Sequence, residues 1–122
     1  MSTKHEFTFR RGWEIGFSQW IRENLPDSSG GYLASNIDFI LYNYNTKKIM
    51  LLEIKFKKRE METWQKLMFN NIHKWMTKGI DEDWEYLGFH LIQFENSGFE
   101  DGRCWYDGRE ILECDLVSKL TI

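Results

Sequence analysis

The chain has 122 residues, 42% of them hydrophobic and 16% aromatic, which suits one domain burying roughly two-thirds of its unfolded surface. Its net charge of −3 argues against a bulk nucleic-acid binder, and no apolar run approaches the roughly 20 residues needed to span a bilayer. Cys104 and Cys114 have neither metal-ligand nor disulfide spacing, and Met1–Glu6 is too polar for a signal peptide, so we expect a cytoplasmic chain with reduced thiols.

Taken in chain order, Arg10–Leu25 reads as a first helix. Trp13, Phe17, Trp20, Ile21 and Asn24 recur at helical spacing, and Pro26 ends the run. Asp27–Gly31 reads as a loop. Ser35–Asn43 reads as a strand, Tyr44–Lys47 as a turn, and Lys48–Phe56 as a second strand with apolar residues on both faces. A second helix is expected over Arg59–Lys78, its stripe made by Met61, Trp64, Leu67, Met68, Ile72, Trp75 and Met76. Gly79 closes it. Tyr86–Phe94 reads as a third strand, brought beside the second by a crossover. Asp107-Gly108, between Cys104–Tyr106 and Arg109–Leu112, is a hairpin signal. The expected class is α/β (α+β): a mixed central sheet flanked by helices, in the order α-β-β-α-β with a C-terminal hairpin.

Charge is unevenly spread. Lys47–Arg59 holds six basic residues against Glu53, whereas Asp81–Asp115 holds eleven acids against Arg103 and Arg109. The basic run could grip a phosphate backbone, or its lysines could simply keep an apolar hairpin soluble.

A four-residue turn at Tyr44–Lys47 pairs Asn43 with Lys48 and so sets Asp38 opposite Glu53, with Cβ atoms roughly 5 Å apart. Lys55 shares their face. Glu53 interrupts the apolar run Ile49–Phe56, where an unpaired carboxylate costs several kcal/mol, so such groups are paired or bound to metal. A hard divalent cation would reconcile two facing acids. The competing reading is a plain Glu53–Lys55 ion pair beside a solvated Asp38. Glu14 and Gln65 both fall at the margins of helical apolar stripes. Their plainer readings are a snorkelling or Arg10-paired glutamate and a glutamine bonded to backbone.

A glutamate on the first helix, an aspartate on a strand, E-x-K on the next and a glutamine on the following helix resemble the PD-(D/E)xK nuclease superfamily. The runs Arg11-Gly12-Trp13-Glu14, Asn36-Ile37-Asp38 and Leu52-Glu53-Ile54-Lys55 look most like small archaeal-type Holliday junction resolvases and related phage nucleases. The resemblance covers roughly Arg10 to Trp75. It departs at Ile37, where the family name has proline, and in the short stretch between Glu14 and Asp38. It implies a restriction-endonuclease-like domain that cuts DNA, structured or branched, as a homodimer.

On that resemblance Asp38, Glu53, the Ile54 carbonyl and Glu14 would hold one or two Mg²⁺ or Mn²⁺ ions. Lys55 would orient the attacking water or stabilise developing charge, and Gln65 would tune the surrounding shell. Lys57, Lys58, Arg59, Arg10 and Arg11 would contact flanking phosphates. An inactive nuclease-fold module that binds nucleic acid, or docks a basic partner on its acidic stretch, is the alternative. His5, His73 and His90 lack zinc spacing. Most tryptophans fall on apolar stripes, but Trp105 and Tyr106 are placed to stack on bases or to pack against a partner subunit.

Overall fold

The computed structural model describes residues 16–26, 28–31 and 33–122. They fall into two units, one ending at Asn36 and the other spanning Ile37–Ile122. In the first, α1 is helical over 16–24 and is followed by a short 3-10 turn, Ser28–Gly30. Arg10, Arg11 and Glu14 lie outside the described residues. Among the described residues no helix is long and apolar enough to cross a membrane.

The second unit runs β1 (Phe39–Asn43), β2 (Lys48–Lys55), α2 (Thr63–Gly79), β3 (Glu85–Phe94), β4 (Cys104–Tyr106), β5 (Arg109–Glu110) and α3 (Glu113–Leu120). The strands form one sheet in the order β1-β2-β3-β4-β5. β2 and β3 are parallel, and the other neighbours are antiparallel. This is the expected mixed sheet. A parallel pair needs a long connection, and α2 supplies it.

The β1–β2 hairpin follows from its turn. Asn43 Oδ1 accepts the amides of Asn45 and Thr46 at 3.0 and 3.2 Å, an Asx-type closure, and Lys47 completes the reversal with φ 55°. The pairing then runs from Asn43 opposite Lys48 to Phe39 opposite Leu52, which is the register that the turn length predicts. Asp38 sits one residue before the ladder, in a bend. The first strand is therefore shorter than expected, beginning at Phe39 rather than Ser35.

β2 lies inside the sheet, and Met50, Leu51, Leu52 and Glu53 are buried in succession. Consecutive burial requires cover on both faces. Residues paired across neighbouring strands point the same way. One face therefore carries Leu51, Glu53 and Lys55 of β2 with Phe89, Leu91 and Gln93 of β3. α2 lies over part of it, its Phe69 meeting Phe89 edge-on at 4.5 Å. The opposite face gathers Met50, Leu52, Ile92 and Cys104 around Leu116 of α3. Each such aliphatic side chain contributes about 1.5–3 kcal/mol by burial.

Two elements differ from the sequence expectation. α2 buries Gln65 and Phe69 while Trp64, Leu67 and Trp75 are 39%, 61% and 63% exposed. Its inward face is thus turned by roughly 70° from the stripe drawn through the tryptophans. The buried face instead carries Phe69, packed on Phe89, and Gln65, which donates to Glu53. The second difference is α3, where the sequence reading ended with a strand. Leu112, Leu116 and Leu120 at four-residue spacing, with acids Glu113 and Asp115 in the first turn and Lys119 in the last, are its signature.

The C-terminal hairpin forms as expected. Asp107 and Gly108 have φ 50° and 85°, the positive values that a two-residue turn needs.

Candidate active site

Glu53 stands near the C-terminal end of β2 and is 4% exposed. Its Oε2 accepts the side-chain amide of Gln65 at 2.9 Å and lies 3.6 Å from Lys55 Nζ. Among the described residues its buried Oε1 has no hydrogen-bond donor. Burial first, and then the charge of the neighbouring Asp38, push the Glu53 carboxyl above the ordinary carboxylate range, while Lys55 pulls the other way. Asp38 is held from the backbone: its Oδ2 accepts the Ile54 amide at 2.9 Å.

The hairpin therefore brings Asp38, Glu53 and Lys55 together, and α2 adds Gln65. Gln65 is more central than its marginal position on the helical wheel suggested. Glu14 and the arginines Arg10 and Arg11 belong to the residues outside the description. Lys57, Lys58 and Arg59 lie exposed just past β2.

Two carboxylates side by side with one buried oxygen lacking a donor cannot both remain bare anions at low cost. A cation close by relieves the cost: Lys55 Nζ, 3.6 Å from Glu53 Oε2, is one, and a metal ion would be another. Asp38 and Glu53 offer hard oxygen atoms, the donor type that Mg²⁺ and Mn²⁺ prefer. Among the described residues no group of three or more His, Cys, Asp or Glu side chains gathers, so water or substrate oxygen atoms would complete the shell. That pattern is ordinary for Mg²⁺, which keeps several waters.

The backbone after β2 is unusual. Lys57 and Lys58 both have positive φ, 56° and 55°, a conformation costing about 1–2 kcal/mol for each L residue. The Lys57 amide donates to the Asn96 carbonyl at 3.0 Å and the Lys58 amide to the Phe94 carbonyl at 2.7 Å. Gln93 Nε2 donates to the Arg59 carbonyl at 2.9 Å. The basic loop is thus tied to the end of β3.

A second polar group was missed in the sequence. His90 Nδ1 lies 2.6 Å from Asp107 Oδ2 and its Nε2 lies 2.7 Å from the Leu87 carbonyl. With an acceptor at each nitrogen, both are placed to donate, which favours the imidazolium form. The hydrogen bond to Asp107 is the main reason its pKa is raised. His90 pairs with Leu52, so it belongs to the face opposite Glu53. The Asp107-Gly108 turn was its legible part; its meeting with His90 was not.

The acidic stretch is partly spent on such local contacts. Asp83 pairs with Lys47, Glu95 with Arg103 and Asp107 with His90.

Comparison with known proteins leaves the site to be read on its own geometry. No family model, curated protein or solved structure matches the chain.

Proposed function

We propose that this chain is a metal-dependent nuclease that hydrolyses phosphodiester bonds in DNA, with Asp38, Glu53 and Lys55 at its centre. The observation that carries the reading is the buried Glu53 oxygen without a donor beside a second carboxylate, with a lysine ammonium 3.6 Å away. An ion pair alone would explain Lys55 but would leave Asp38 adding repulsion for nothing.

Asp38 and Glu53 would hold the metal, joined by the Ile54 carbonyl; Glu14 belongs to the same expectation. When bound, Mg²⁺ or Mn²⁺ supplies an acidified water and a counter-charge for the phosphate. The chain's own groups do the rest. The Ile54 amide fixes the Asp38 carboxylate, Gln65 fixes that of Glu53, and Lys55 steadies negative charge developing on the phosphate oxygen atoms. Lys57, Lys58 and Arg59 contact the flanking backbone. A homodimer and a branched substrate belong to the same proposal, since a two-fold assembly fits a symmetric junction.

The experiment is cleavage of single-stranded, duplex and four-way-junction DNA in Mg²⁺ or Mn²⁺. Wild type should cut at least one substrate, Glu53→Ala none, and Lys55→Ala about 10²–10³-fold more slowly. Absence of cutting by wild type, or cutting by Glu53→Ala at the wild-type rate, overturns the reading.

A further inference from the structure

We propose that Trp105 is a stacking platform for an unpaired nucleobase of the DNA strand, so that the preferred substrate carries a single-stranded segment. The inference rests on the nuclease reading of Asp38, Glu53 and Lys55, and it names the part of the substrate that reading leaves open.

The sheet itself makes the argument. Lys55 pairs with Gln93, and Gln93 pairs with Trp105. The three side chains therefore stand in one row on the face that carries Glu53. Two strand spacings separate Lys55 from Trp105, about 10 Å, a span that a short run of single strand covers.

Cations from two different loops reach the ring. Lys58 Nζ lies 5.0 Å from its centroid and Arg103 Cζ lies 5.2 Å from it. Lys58 comes from the strained loop after β2, which Gln93 and the end of β3 hold in place. Because β2 and β3 are parallel, both loops gather at one end of the sheet, beyond the strands' C-termini, where open α/β sheets commonly bind ligands. An aromatic face with adjacent cations is the combination by which proteins hold single strands.

Charge and stacking can be weighed against each other. Arg103 is shared with Glu95 and Glu110, at 3.5 and 3.9 Å, and the whole chain carries −3. The phosphate attraction of Arg103 is therefore weak, and base stacking on Trp105 adds what it lacks. A base inside a duplex already has both faces covered, so only an unpaired base can use the ring.

The test is fluorescence anisotropy in EDTA, where no cleavage occurs, with a labelled single-stranded oligodeoxynucleotide and a blunt duplex of the same sequence. Wild type should favour the single strand. Trp105→Leu should bind it about five- to a hundredfold more weakly and leave duplex affinity unchanged, while Trp105→Phe should stay within a few-fold of wild type. Lys58→Gln, an exposed position whose change leaves the core intact, should weaken both DNAs through the lost phosphate contact, and the single strand several-fold more because it alone also uses the ring. Unchanged single-strand binding in Trp105→Leu, or in Lys58→Gln should the leucine variant not fold, overturns the proposal, as does an equal loss for both DNAs. If wild type cuts DNA but Trp105→Leu binds single strands normally, this inference falls and the nuclease reading stands. If wild type cuts nothing while Trp105 still selects single strands, the nuclease reading falls and the binding surface remains.

Discussion

The side-chain amide of Gln65 donates to Glu53 Oε2 at 2.9 Å, a contact between side chains in residues that are 7% and 4% exposed. It joins α2 to the centre of the sheet by a polar bond where packing alone would favour an apolar one. Gln65→Ala should cost about 1–3 kcal/mol, the range for stripping a donor from a buried acceptor. Urea unfolding in EDTA measures it; an unchanged midpoint would mean that water replaces the amide freely.

Glu53 is the residue whose removal should separate stability from metal binding. Glu53→Gln takes away a buried charge that has one close amide donor and one bare oxygen. In EDTA its Tm should rise, by roughly 4 °C for each kcal/mol gained in a chain of this size. Saturating Mn²⁺ should stabilise wild type, by about 2.7 kcal/mol at a hundred times Kd, and leave the variant unmoved. Scanning calorimetry with and without the ion gives both numbers. A variant that Mn²⁺ stabilises as much as wild type would remove Glu53 from the metal site.

The His90–Asp107 pair predicts a pH window. The pKa of His90 is raised, first by the hydrogen bond to Asp107. Its contribution is therefore complete below about pH 6.5, the unfolded histidine value, and is lost as pH rises through the higher folded value. For Asp107, burial acts upward but the bonds from His90 and the Leu91 amide outweigh it, and the net shift is downward. Its contribution is complete above about pH 4 and is lost as pH falls through the lower folded value. The pair is thus whole between about pH 4 and 6.5. The stability gap between wild type and His90→Gln should be widest there and should shrink at alkaline pH. A gap independent of pH, followed by chemical denaturation across that range, would show that the ring is not charged.

Gly88 holds φ +99°, and a Cβ there would lie 3.1 Å from His90 Nε2. Gly88→Ala should cost about 1–2 kcal/mol from the backbone alone. It should also flatten the pH dependence, because the added carbon crowds the nitrogen that meets the Leu87 carbonyl. Retained pH dependence in this variant would place the strain elsewhere.

The sequence made the hairpin legible for a local reason: the length of one turn fixes its register, and the register sets Asp38 opposite Glu53. The E-x-K spacing then put Lys55 on the same face. What could not be read locally is which way α2 turns. Trp64, Leu67 and Trp75 dominate any hydrophobic wheel, yet the face that meets the sheet is the one carrying Gln65 and Phe69, whose partners Glu53 and Phe89 lie far off in sequence. α3 escaped because its eight residues carry more charge than a short amphipathic pattern makes conspicuous. The His90–Asp107 bond joins β3 to the turn between β4 and β5, a meeting that only the folded sheet reveals.

The parallel pairing of β2 and β3 has an evolutionary consequence. The acids and the lysine of the centre are fixed in the hairpin and β2, where change disturbs the core, whereas Lys58 and Arg103 come from connections at one rim. Residues 95–103 can therefore be exchanged for other lengths and compositions while Glu53 keeps its surroundings. On the nuclease proposal, descendants of this scaffold would switch the shape of DNA they accept long before losing the proposed chemistry.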